Sequence, residues 1–226
     1  TDMAPLESRP CAGVRYVSGA RQLKEPDLVI LPGSKNTMED LRWLRMSGYT
    51  HAIAIMLSGG LSGTANMLRI MAQQVPELEM LVCDSLSGSI GSGITAIEVA
   101  EDVRQGKSFR EIAARIPSLL ANTHVFFSVD TLEYLQKGGR IGRITALAGT
   151  ALQIKPILGF LPDGQLGSVE KVRGRKMVQS HLCQQVAKYV KPGCRYNLLV
   201  GDGGDPEGGA QLQQKLGELF PDYERY

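Results

Sequence analysis

The 226-residue sequence lacks an excess of either charge and lacks any long uninterrupted hydrophobic run. Its 25 lysine and arginine residues are balanced by 23 acidic residues, so net charge gives no reason to expect binding to nucleic acid or to an anionic membrane. No apolar stretch approaches the ~20 residues of a transmembrane helix, and no charged-then-apolar leader opens the chain. We therefore expect a cytoplasmic protein without a membrane span, whose 43% hydrophobic residues suffice for a buried core.

Motifs for metal, nucleotide or covalent chemistry are also missing. The four cysteines show no CxxC spacing and are expected to be reduced, and the three histidines are isolated, without HExxH. A P-loop needs lysine where Thr64 stands, and neither GxGxxG after a predicted strand nor a GxSxG elbow occurs. We therefore expect neither a bound metal nor a cofactor.

Strand-like and helical segments alternate in the first half of the chain. Short apolar runs predict strands at 27–31, 51–57 and 79–83, and helical spacing follows them at 37–47, 63–75 and 89–105. Ser108 is expected to cap a further helix that ends before Pro117. Three repeats of strand, turn and helix predict an α/β fold of Rossmann-like type, with a parallel sheet and helices on both faces.

The pattern changes after about residue 128, where we predict a domain boundary. The later segments indicate a second α/β domain, with strands at 124–129 and 195–202, helices at 131–136, 176–190 and 208–220, and a hairpin over 155–172 around Pro162-Asp163-Gly164. The apolar stretch 144–155 is compatible with a helix.

Two turns rich in hydroxyls and glycines follow neighbouring predicted strands: residues 58–64, SGGLSGT, and residues 84–92, DSLSGSIGS. Ligands of parallel α/β sheets bind beyond the carboxyl ends of the strands, where both turns should lie. Free backbone N–H groups and the partial positive charge of a helix N-terminus suit a carboxylate or a phosphate. Because serine, threonine and glycine are also common helix-entry residues, a purely structural role fits the same pattern.

Five ordered motifs resemble the DegV family of fatty-acid-binding proteins from Tyr49 onward. They are SGGLSGT (58–64), DSLSGSIGSG (84–93), DTLEYLQKGGRIG (130–142), LQIKPIL (152–158) and KVRGRK (171–176). The resemblance implies two α/β domains that hold a long-chain fatty acid between them, with its carboxylate bound by hydroxyls. It also implies a binding protein rather than an enzyme, one that presents its ligand to a fatty acid kinase.

The resemblance assigns a head-group site to the hydroxyl-rich turns. The candidate ligand-binding residues are Ser58, Gly60, Ser62, Gly63, Thr64, Ser85 and Arg140. Arg140 is either a charge partner of the ligand or a structural anchor. The family usually has two consecutive serines where this chain has Ser58-Gly59, so one hydroxyl donor is missing.

Residues 1–48 resemble part of the glutamine-amidotransferase domain of cobyric acid synthase, through LPGSKNT followed by DLRWLR. No residue matches that family's nucleophilic cysteine, so amidotransferase activity is not implied. We therefore interpret the chain as a fusion: a βα fragment (1–48) that completes the first sheet, a partial DegV-like N-terminal domain (49–128) and a C-terminally truncated second domain (129–226). The alternatives are a remnant of cobyric acid synthase and a chimera without ligand function.

Overall fold

A computed structural model of the protein describes residues 37–147 and 154–225. The strand predicted at 27–31 lies outside this range. The helices are α1 Thr37–Met46, α2 Thr64–Ala72, α3 Ile90–Arg104, α4 Phe109–Ala121, α5 Glu133–Lys137, α6 Val178–Ala187 and α7 Pro206–Leu219. The strands are β1 His51–Met56, β2 Glu79–Asp84, β3 Phe126–Ser128, β4 Ile154–Phe160, β5 Leu166–Arg173, β6 Asn197–Leu198 and β7 Glu224–Arg225, and 3₁₀ turns cover Gly142–Leu147 and Arg175–Met177.

Strands β1 and β2 are parallel, in register from the pair His51 and Glu79 to the pair Met56 and Asp84. Their alternating side chains enter two separate cores. Ala52 and Ala54 pack with residues of α1 and α2, whereas Ile53 and Ile55 pack with residues of α3 and α4. The predicted α/β fold with helices on both faces of a parallel sheet is therefore confirmed.

Helix α1 packs on the first of these faces, as its apolar spacing predicts. Leu41 is 2% exposed, Leu44 packs against the same cluster, and Trp43 is partly buried. The helix is followed by Gly48, whose φ of +85° suits a glycine at a helix C-terminus. The predicted completion of the first sheet by the 27–31 strand falls on residues outside the described range.

Helix α4 begins as predicted but ends later than predicted. Ser108 and Glu111 form a capping box, each accepting a hydrogen bond from the other's backbone N–H. Pro117 does not end the helix, which continues to Ala121. The lost backbone hydrogen bond costs about 3 kcal/mol, but the buried Ile112 and Ile116 each contribute about 1.5–3 kcal/mol by packing on the sheet, so tertiary packing prevails.

A buried ion cluster joins α3 to α4. The carboxylate of Asp102, whose residue is 2% exposed, pairs with Lys107 Nζ at 2.6 Å and with the Arg115 guanidinium, which also contacts Glu98 Oε2 at 2.7 Å. Burial alone would raise the pKa of Asp102, but hydrogen bonds from Lys107 and Arg115 hold it below its usual value. The cluster therefore stabilises this helix pair as long as the carboxylate is charged.

The second half of the chain contains an antiparallel sheet in the order β3-β4-β5. The predicted hairpin is confirmed, with β4 and β5 paired from Ile154 and Arg173 to Phe160 and Leu166. Ile157 and Leu158, both fully buried, enter different cores on the two faces of this sheet.

Several predicted boundaries in this half were wrong. Residues 142–147 form a 3₁₀ turn and β4 begins at Ile154, so a single helix over 144–155 is excluded. The strand predicted at 195–202 is reduced to the two residues of β6, which pair with β7.

Within the described ranges, no helix has both the length and the apolar character needed to cross a bilayer.

Candidate functional site

The two hydroxyl-rich turns lie side by side at the carboxyl edge of the β1-β2 sheet. The parallel register brings the ends of the two strands together, and backbone hydrogen bonds then link the turns. Ser58 N donates to Ser87 O at 2.8 Å, and Ser85 N donates to Met56 O at 3.0 Å. The prediction that the two turns share one edge of the sheet is therefore confirmed.

Asp84, the last residue of β2, holds the turns together through its side chain. Its Oδ2 accepts from Gly59 N at 3.0 Å and its Oδ1 accepts from Leu86 N at 2.9 Å. A Cβ on Gly59 would lie 2.6 Å from Oδ2, so the close contact depends on glycine. Asp84 was not among the predicted site residues, although it directly ends a strand and is the first residue of the second hydroxyl-rich turn.

A third segment, the β4–β5 turn at residues 161–165, closes over the first turn. The Ser58 hydroxyl is fully buried, donates to Gly164 O at 2.7 Å and accepts from Gly60 N at 3.1 Å. A Cβ on Gly60 would lie 2.7 Å from the carbonyl oxygen of Gly164. Ser58 and Gly60 therefore join the first turn to the β4–β5 turn, and the hydroxyl of Ser58 is already hydrogen-bonded to protein partners.

Ser62 and Thr64 form a hydroxyl pair at the start of α2. Their side-chain oxygens are 2.6 Å apart, and Thr64 N donates to Ser62 Oγ at 3.3 Å. Both residues are partly buried, and Gly63 between them is exposed with open space beside its Cα. One hydroxyl donates to the other, so the accepting hydroxyl keeps its own hydrogen for a further acceptor.

Ser85 belongs to a hydrogen-bonded group inside the second turn. Its hydroxyl is 3.0 Å from the Ser92 hydroxyl, donates to Ser87 O and accepts from Ser87 N. Leu86 and Ser89 in this turn both adopt positive φ, at 50° and 51°, a conformation that costs energy for residues other than glycine. The second turn is thus a tightly bonded, strained support beside the first.

Arg140 serves as an anchor in this structure. Its Nε donates to Leu61 O at 3.3 Å and its Nη1 donates to Gly138 O, so the guanidinium ties the segment after α5 to the 58–64 turn. Of the two roles that the sequence left open for Arg140, these contacts supply the structural one.

Apolar side chains lie next to the polar turns. Leu57, Leu61 and Phe160 all approach the Cα of Gly88, within 3.8 Å of where a Cβ would stand. Leu57 and Leu86 are each 39% exposed. The edge of the sheet therefore combines hydroxyls with accessible apolar surface, as a ligand with a polar head and a hydrocarbon tail requires.

Metal and thiol chemistry find no support in the described residues, which contain no group of three potential ligands suited to a metal ion. His124 stacks on Tyr189, and burial lowers its pKa, whereas His181 Nδ1 lies 2.7 Å from Glu170 Oε1. Burial raises the pKa of the Cys83 thiol, which is free and not an activated nucleophile.

Comparison with known proteins assigns the chain and its fold to one family. The sequence model of the family described as "Uncharacterised protein, DegV family" matches residues 32–226, so the chain belongs to the DegV family. A DegV domain-containing protein of Clostridium acetobutylicum is 40% identical over 172 residues, which cover 75% of this chain and 61% of that protein. A second such protein, from Clostridium perfringens, is 35% identical over 70% of this chain and 57% of its own length. This chain thus spans about three fifths of the length of these curated relatives.

Solved structures agree with this assignment. A fatty-acid-binding DegV protein of Thermus thermophilus superposes with a TM-score of 0.74 at 27% identity, over 84% of this chain and 67% of the other. A fatty-acid-binding DegV protein of Streptococcus agalactiae gives 0.74 at 26% identity, over 84% and 68%. These relatives are described as binding proteins, in agreement with the prediction of a binding protein rather than an enzyme.

The family match also changes the interpretation of the N-terminal part. It begins at residue 32 and so includes DLRWLR and all but the first residue of LPGSKNT, the motifs that resemble cobyric acid synthase. Helix α1 packs into the first core beside α2, as an element of the same domain would. The comparisons lend no support to a separate cobyric-acid-synthase fragment or to a chimera.

Proposed function

We propose that the chain binds a long-chain fatty acid, whose carboxylate accepts a hydrogen bond from the Ser62–Thr64 hydroxyl pair. The 2.6 Å contact between these hydroxyls carries the proposal, because it leaves one hydroxyl hydrogen for the ligand at the N-terminus of α2. The partial positive charge of a helix N-terminus favours an anion at this position. Ser58, Gly60, Ser85 and Arg140 would support the site rather than contact the ligand, since their hydrogen bonds and close contacts join the surrounding segments.

The acyl chain would run from this pair across the apolar surface beside Gly88. Leu57, which precedes the first turn, lies beside Gly88 and is accessible, as is Leu86 in the second turn. Burial of hydrocarbon is worth roughly 25 cal/mol per Å², so apolar contact would supply most of the affinity and the hydroxyls would set the orientation.

The direct test is mass spectrometry of lipid extracted from the natively folded protein, followed by titration with palmitate or oleate. Fatty acid in the extract and saturable binding are expected. If the Ser62 hydroxyl is the one that donates to the carboxylate, Ser62→Ala should weaken binding by about 1–2 kcal/mol, because a charge-assisted hydrogen bond is lost. Ser180→Ala, at an exposed position of α6, is the matched control. Absence of lipid together with no binding of added fatty acid would refute the proposal.

Presentation of the bound lipid to a fatty acid kinase is a further part of this proposal, supported by the resemblance of the motifs. The test combines the lipid-loaded protein with such a kinase and ATP, and measures acyl-phosphate. Formation of acyl-phosphate only when this protein is present is the expected outcome, whereas equal turnover without it would contradict a role in presentation.

The alternative is a remnant of cobyric acid synthase, suggested by LPGSKNT at residues 31–37. A glutamine amidotransferase needs an activated cysteine, but burial raises the pKa of both Cys83 and Cys183. We expect no release of ammonia from glutamine above background. Release that disappears in Cys83→Ala would favour the alternative.

A further inference from the structure

We infer that Asp84 is the positioning residue of the head-group site: its carboxylate holds the two hydroxyl-rich turns in the relative arrangement that presents Ser62 and Thr64 to the ligand. The inference rests on the proposed fatty-acid binding and adds a residue that does not itself contact the lipid. Asp84 closes β2, and each of its two oxygens serves a different turn.

The contact with the first turn determines where the hydroxyl pair stands. Oδ2 accepts from Gly59 N, and the next residues of the turn close on Ser58, whose carbonyl accepts from Leu61 N at 2.9 Å and from Ser62 N at 3.0 Å. Gly59 therefore lies within the tight turn that carries Ser62 into α2. A displaced Gly59 would move the hydroxyl pair with it.

The contact with the second turn fixes the position of the Asp84 carboxylate. Oδ1 accepts from Leu86 N, and Leu86 holds a positive φ that needs support from its surroundings. Ser87, the next residue, accepts from Ser58 N across the gap between the turns. A charged carboxylate forms stronger hydrogen bonds to backbone N–H groups than a neutral oxygen does, and this suits Asp84 to bridge the two turns.

Asparagine at this position keeps the size of aspartate but replaces one acceptor by an NH₂ donor. In Asp84→Asn that donor faces either Gly59 N or Leu86 N, so one turn loses its partner. We expect the Kd for palmitate to rise about tenfold while the Kd for methyl palmitate changes less than about twofold, because the ester lacks the carboxylate that the turns orient. Both ligands are delivered from cyclodextrin and measured by calorimetry on the full chain.

Amide hydrogen exchange in the lipid-free protein is the second measurement. In Asp84→Asn, exchange should accelerate at whichever of Gly59 and Leu86 faces the NH₂ group, and should stay unchanged elsewhere in the sheet. Asp202→Asn is the matched control, since Asp202 is exposed and accepts a single backbone hydrogen bond, from Gly204 N. Gly59→Ala disrupts the same contact from the other side, because the added Cβ would lie 2.6 Å from Asp84 Oδ2. It should likewise weaken the binding of palmitate more than that of methyl palmitate.

Equal weakening of acid and ester in both variants would overturn the positioning role and leave Asp84 with a general structural one. Unchanged exchange at Gly59 and Leu86 would overturn the bridge itself. A wild-type chain that binds no fatty acid would refute the proposed function, and the head-group role with it, while the exchange measurement would still report separately on the bridge.

Discussion

The Ser58 hydroxyl offers the clearest test of how the β4–β5 turn is attached to the first turn. Ser58 is fully buried, and its hydroxyl both donates to Gly164 O and accepts from Gly60 N. Ser58→Ala removes one oxygen and leaves almost no cavity, so the change in stability reports on these two hydrogen bonds.

The magnitude follows from the burial of the two partners. Gly60 is exposed, so its N–H can bond to water when the hydroxyl is removed. Gly164 is buried, and its carbonyl would lose a partner without gaining one, which costs about 1–3 kcal/mol. We therefore expect Ser58→Ala to lower the free energy of unfolding by about 2 kcal/mol, a large share of the 5–15 kcal/mol typical of a folded protein.

Urea denaturation measures the free energy, and amide exchange over residues 161–165 localises the effect. The exposed Ser180→Ala should stay within about 0.5 kcal/mol of wild type. An unchanged unfolding free energy in Ser58→Ala, with unchanged exchange in the β4–β5 turn, would show that the hydroxyl does not hold the turn in place.

Three further predictions concern stability. Leu41→Ala should lower the free energy of unfolding by about 2–5 kcal/mol in urea melts, since the side chain is 2% exposed; an effect below 1 kcal/mol would mean that α1 does not belong to the core. Asp102→Asn should cost about 2–3 kcal/mol at pH 7, below the ~3–5 of a fully buried pair because its basic partners are about one-third exposed. The folded-state pKa of Asp102 lies below the unfolded value of about 3.9, so this contribution is present above that pH and is lost as the pH falls through the folded-state pKa. A wild-type-to-variant difference that stays constant down to pH 2 would contradict this. Gly60→Ala should destabilise the fold by about 1–3 kcal/mol because its Cβ would meet the backbone of Gly164, whereas Gly63→Ala, with open space, should be close to neutral; equal melting temperatures would refute the contact.

Local patterns in the sequence were sufficient for the elements that depend on neighbours along the chain. The apolar run HAIAIML predicts β1, Ser108 predicts the start of α4, and Pro162-Asp163-Gly164 predicts the hairpin turn. Each signal acts over a few residues: a short apolar run, helix capping and turn preference. The motifs, taken in order, also identified the family.

Tertiary structure decided the features that depend on contacts far apart in sequence. Pro117 stays inside α4 because packing on the sheet buries Ile112 and Ile116. The propensities of neighbouring residues do not include this packing energy. Likewise, β4 begins at Ile154 because its residues pair with β5 and bury side chains in the cores on both faces of the sheet. The apolar run from residue 144 had been compatible with a helix.

The candidate site likewise has features that local sequence predicts and features that only tertiary contacts determine. The sequence by itself determined that two hydroxyl-rich turns would follow adjacent parallel strands and so meet at one edge, because both strands point the same way. It could not determine which hydroxyls remain available for a ligand. That depends on Gly164, 106 positions after Ser58 in the chain, whose carbonyl engages one serine, and on Asp84, whose carboxylate bridges the two turns. Hydrogen-bond partners are chosen by proximity in the folded chain, so only the tertiary structure separates the buried Ser58 from the partly accessible Ser62 and Thr64.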